Sequence, residues 1–152
     1  MDQDAFHQTY REFNELFCAY EKGILSRQCE CALAEKLNIA EREAVRCQSE
    51  EAREHCFDLL DILRKQSRFA LKSLEQAGTI PHNKAMKVQV GGLRGLHAAL
   101  EPDQPIPVII VDIHGTIEAA VEKFGSLEEL PFQVIVQQIA AFEGRKRSRK
   151  KR

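Results

Sequence analysis

Residues 35–47 read EKLNIAEREAVRC, and the fold turns on how this stretch is read. Asn38 stands three residues before Glu41, the spacing of a capping box with Asn as the capping residue. That spacing starts a helix at about Ile39 and reverses the chain at residues 37–38. Working upstream, residues 4–37 contain no proline and one glycine, Gly23. Phe6, Phe13 and Tyr20 recur every seven residues, as do Tyr10, Phe17, Ile24 and Cys31, which is the seam of an amphipathic helix. Downstream, Val45, Ala52 and Leu59, interleaved with Cys56, Leu63, Ala70 and Ala77, repeat the spacing until Gly78 ends it. Two antiparallel helices follow, each roughly 50 Å long. Leu25, Leu33, Ile62 and Phe69 fall off the seams and need cover, either from the C-terminal half or, the favoured reading, from a second copy in a four-helix bundle.

Beyond Gly78 the pattern changes. Met86, Val88 and Val90 alternate with polar residues as in a strand, residues 93–100 read as a short helix, and EPDQPIP at 101–107 as a loop. VIIVDI at 108–113 is an apolar β-branched run of strand length. Thr116 starts a helix closed by Gly125, and a last helix covers residues 131–142. The expected fold is mainly α: a long antiparallel helical hairpin over 1–77, dimerising into a bundle, and a small C-terminal α/β appendage over 78–144 in the order β-α-β-α-α. A solvated basic tail follows over 145–152.

Charge divides the same way. The 152 residues carry 22 Lys and Arg against 23 Asp and Glu. The tail, RKRSRKKR, holds seven of the cations: Arg145, Lys146, Arg147, Arg149, Lys150, Lys151 and Arg152. Without them 15 basic residues face 23 acidic ones, a body of net charge −8. Polyanion binding is thereby disfavoured for the globule and assigned to the tail, which can neutralise phosphates without reading sequence. No uncharged apolar run is long enough for a membrane span and no leader pattern opens the chain, so a cytoplasmic protein is expected.

Five cysteines, Cys18, Cys29, Cys31, Cys47 and Cys56, all fall in the helical half. Without a secretory leader, three readings stand: packed small hydrophobes, redox cross-links, or a thiolate site binding zinc or an iron–sulfur centre. On a helical hairpin, Cys29, Cys31 and Cys47 gather near the turn and form the candidate metal set. Cys18 and Cys56 would lie 11 residues along the first helix from that level, roughly 16 Å away, too far to share one ion.

The remaining signals are weaker. Gly91, Gly92 and Arg94 follow the first expected strand and His114 the second, where strand ends of parallel α/β units gather anions. Glu50, Glu51 and Glu54 with His55 lack the Glu-x-x-His spacing of a di-iron bundle and read as a solvated face. EKFGSLEEL at 122–130 is similar to the end of a helix-hairpin-helix DNA-binding module, without that family's upstream glycine hairpin. As residues, it is a glycine stop followed by a serine capping box. No nucleophile–base pair stands out. The expected function is a non-enzymatic adaptor or regulatory module binding a protein partner or nucleic acid. The alternatives are a cysteine-rich metal-binding or redox accessory protein and a small anion- or nucleotide-binding protein.

Overall fold

At the stretch that suggested a helix start, the chain makes a tight β-hairpin. In a computed structural model, which describes residues 14–76 and 81–143, β1 (Ala34–Ile39) runs antiparallel to β2 (Arg42–Cys47). Ile39 pairs with Arg42 and Ala34 with Cys47. Ala40 and Glu41 turn the chain with φ of 49° and 70°. Positive φ at both central residues defines a type I′ turn, whose twist matches that of the strands. Such turns favour Asn-Gly, whereas Ala and Glu are strong helix formers. The local sequence therefore advertises the wrong element. Glu41→Gly should relieve the left-handed strain and stabilise the protein by about 1 kcal/mol. In a helix the same change would cost about as much, so a lowered melting temperature would contradict the hairpin.

The long helical hairpin is thus corrected to a strand hairpin with short flanking elements. A third extended segment joins β2: Cys18 N–H donates to the Val45 carbonyl at 2.9 Å and Cys47 N–H to the Leu16 carbonyl at 2.7 Å. Of the first expected helix, only α1 (Glu21–Leu25) is helical among the described residues. Residues 4–13 and the 145–152 tail lie outside them.

Helix α2 (Glu50–Gln66) begins at Ser49, whose hydroxyl accepts the Ala52 N–H at 3.2 Å. It continues through Ser67 into α3 (Arg68–Gln76), with Leu71 N–H donating to the Ser67 carbonyl at 3.0 Å. Its buried residues Ala52, Cys56, Leu59 and Leu63 belong to the expected seam.

The C-terminal half is helical, which corrects the α/β appendage. The expected strand at 86–90 is instead the end of α4 (Pro81–Met86) and a wide π turn (Lys87–Gly91) leading into α5 (Gly92–Leu100). Alternation misled here because Val88, Gln89 and Val90 are all buried. Gln89 turns inward to accept the Gly23 N–H at 3.0 Å. VIIVDI is no strand either: Ile110 makes one parallel bridge to Cys29, while Val108 and Val111 are 78% and 74% exposed.

Helix α6 (Ile113–Phe124) stops at Gly125, with φ of 102° and its N–H donated to the Val121 carbonyl. A 3-10 turn (Leu127–Glu129) then leads to α7 (Phe132–Ala141). Gly95 lets α5 lie directly on α7, since a Cβ there would stand 2.6 Å from the Ile135 Cα. One core joins both halves of the chain: Leu60 and Leu63 of α2 pack with Leu96 of α5, Ile117 of α6 and Ile135 of α7. Among the described residues no helix is long and apolar enough to cross a membrane.

Candidate metal centre

The hairpin redistributes the cysteines. Cys18 ends the segment that pairs with β2, Cys47 ends β2 itself, Cys31 lies in the loop before β1, and Cys56 sits in the second turn of α2. All four line one small cavity of about 10 Å³, together with Tyr20, Arg53 and His114. No disulfide joins any of the five cysteines. The 16 Å separation expected from helical geometry vanishes because residues 18–47 fold back as strands and loops instead of extending as a rod.

Backbone donors converge on two of the sulfurs. Tyr20 N–H points at the Cys18 sulfur at 3.4 Å. Leu33 N–H points at that of Cys31, again two residues on, and so does the His114 N–H in the first turn of α6. These donors stabilise sulfur that carries negative charge. The Cys31 loop is held at α6 by the Asp112 carboxylate, which accepts the Ala32 N–H at 3.0 Å, and by the Ile113 N–H, donated to the Glu30 carbonyl at 2.8 Å. Cys47 donates its S–H to the Ser49 carbonyl at 3.2 Å, the residue that caps α2.

Arg53 also lines the cavity. Its guanidinium lies over the rings of both Phe17 and Phe57, 4.5 and 4.7 Å from their centroids, and donates to the Phe17 carbonyl at 2.8 Å. His114 bonds Glu118 at 2.9 Å. Tyr20 is fully buried, and its hydroxyl has no hydrogen-bond partner. Burial, followed by the Cys56, Cys29 and Cys18 thiols, pushes its pKa well above the ordinary range. A buried hydroxyl without a partner is costly unless something accepts its proton.

Burial also pushes the thiols of Cys18, Cys29 and Cys56 from 9.0 up to about 12. Cys31 is raised by burial and pulled back by its two backbone donors. Neutral thiols of this kind are poor nucleophiles and exchange slowly. Among the described residues, no three His, Cys, Asp or Glu side chains already stand in a ligating arrangement. The sulfurs share a cavity as thiols, and holding a cation requires loss of their protons.

Of the metal set expected from sequence, Cys31 and Cys47 line the cavity and Cys29 does not. The Cys29 sulfur lies against Gly23, where a Cβ would stand 2.7 Å from it. Cys18 and Cys56 were missed, because the helical reading carried them to another level. The expected anion residues are not gathered at a strand end. Gly91 and Gly92 lie inside helix, where Gly91 faces Ile139 and Gly92 faces Leu63. Arg94 stacks on Phe142 at 4.9 Å and donates to the Val108 carbonyl at 3.1 Å. His114 belongs to the cysteine cavity.

Among known protein families, curated proteins and solved structures, none is similar to this chain.

Proposed function

We propose that Cys18, Cys31, Cys47 and Cys56 hold a metal ion through four thiolates, and that this centre ties the N-terminal hairpin to α2 and α6. The observation that carries the reading is that four cysteines from four separate segments line one cavity. One further feature fits it: backbone N–H groups already point at two of the sulfurs.

Four protein ligands leave no open coordination position, which is the pattern of a structural rather than a catalytic site. Zinc suits the small cavity and the all-sulfur donor set. A reducing compartment would keep the thiols available to it. The test is elemental analysis of anaerobically purified protein, with one zinc per chain expected. Cobalt substitution should then give the intense visible absorption of a tetrahedral thiolate site. Iron with labile sulfide would keep the four thiolates and replace the ion with a cluster. Metal well below one equivalent would overturn the reading.

A second reading, a non-enzymatic module that contacts nucleic acid or an acidic partner, rests on the seven basic residues among the last eight.

A further inference from the structure

Away from the cysteines, a groove of about 420 Å³ runs between α2–α3 and α4. Arg64, Arg68 and Lys72 form one wall, Lys84 stands on the other, and Leu71, Ala85 and Val88 complete the lining. Among the described residues no carboxylate lines it. The three wall cations are spaced by four, so helical bonding through Ser67 stacks them on one face at intervals of about 6 Å. None of the three has an ion-pair partner among the described residues. In a body of net charge −8, residues 64–87 carry six basic side chains and one acidic one, a local excess of +5.

We infer that this groove binds the phosphate backbone of a nucleic-acid strand. The row of cations spans about 12 Å from Arg64 to Lys72, longer than a single phosphate, and successive phosphates of an extended strand can meet successive cations. Opposed charged walls suit a strand lying within the groove and not a flat membrane, against which Lys84 and Lys72 could not both lie. Arg64 and Arg68 can each bond a phosphate through two N–H groups, and Lys72 and Lys84 add point charges. The inference is independent of the metal centre and of the tail.

The test compares the full chain with the Arg64→Gln, Arg68→Gln, Lys72→Gln variant, titrating a fluorescent single-stranded oligonucleotide across a salt series by anisotropy. Each phosphate neutralised on a single strand contributes about 0.7 to the slope of log K against log salt, so losing three contacts should lower it by about 2. Lys36→Gln, an exposed cation on β1, should leave the slope unchanged. All three groove positions are exposed and glutamine keeps helix propensity. If the triple variant nonetheless misfolds, the single variants should each lower the slope by about 0.7. An unchanged slope in folded variants would overturn the inference and leave all attraction to the tail. So would anionic vesicles that depend on the three cations while the oligonucleotide does not.

Discussion

Cys56→Ser should strip the metal from the chain and lower its stability by several kcal/mol, whereas Cys29→Ala should keep the metal. The contrast follows from where the two sulfurs lie. Cys56 projects from α2 into the shared cavity, and Cys29 packs against Gly23 outside it. Structural zinc contributes about 10 to 16 kcal/mol in small zinc-dependent chains, so one ligand in four carries about 3 to 4 kcal/mol. That is a large part of the about 5 to 15 kcal/mol that holds a domain folded. Emptying the small apolar volume of the Cys29 sulfur costs about 1 kcal/mol and touches no ligand. The readouts are metal per chain and the midpoint of denaturant unfolding. Full metal occupancy in Cys56→Ser would remove it from the ligand set, and metal loss in Cys29→Ala would put Cys29 into it.

The same two cysteines mark where the sequence was legible. From residue 50 to 76, over 93–100 and from Thr116 onward, apolar spacing, Gly125 and the positions of Leu59 and Leu63 lie where helices form, because tertiary burial and local propensity agree there. They part at Ala40 and Glu41. Both favour helix alone, yet the pairing of β1 with β2 and of Cys18 with Val45 holds them in a left-handed turn. A sevenfold spacing of Phe17, Ile24 and Cys31 is then coincidence: Phe17 faces Arg53, Ile24 enters the core from α1, and Cys31 faces the cavity.

With the hairpin misread, the cysteines were assigned to the wrong heights, and their spacing alone offered no correction. The exposed Val108 and Val111 show the opposite failure, an apolar β-branched run that tertiary contacts do not use as a strand. The groove cations Arg64, Arg68 and Lys72 were not singled out from the sequence, and the wall opposite them comes from Lys84 on α4, in a stretch to which the sequence reading assigned no element.

The metal-loaded and metal-free forms should respond to pH in opposite directions. In the metal-free chain, folding buries Cys18, Cys29 and Cys56 as neutral thiols, with their pKa values raised from 9.0 to about 12. The folded state then holds the proton more tightly than the unfolded one. That stability is fully present below about pH 9 and is lost as pH rises toward about 12. Each thiol accounts for a loss on the order of 4 kcal/mol, so the three together, on the order of 12 kcal/mol, are comparable to the stability of an ordinary domain. Metal reverses the sign for its ligands. Bound cysteines are thiolates in the folded chain and protonated thiols in the unfolded one below about pH 9, so stability rises with pH there and falls as acid displaces the ion. Denaturant titrations of chelator-treated and zinc-loaded protein from about pH 6 to about pH 10 measure both slopes. The metal-free form should be flat at first and then decline, while the loaded form climbs. Parallel curves would mean that no thiolate is bound, and the four-cysteine centre would fall with that result.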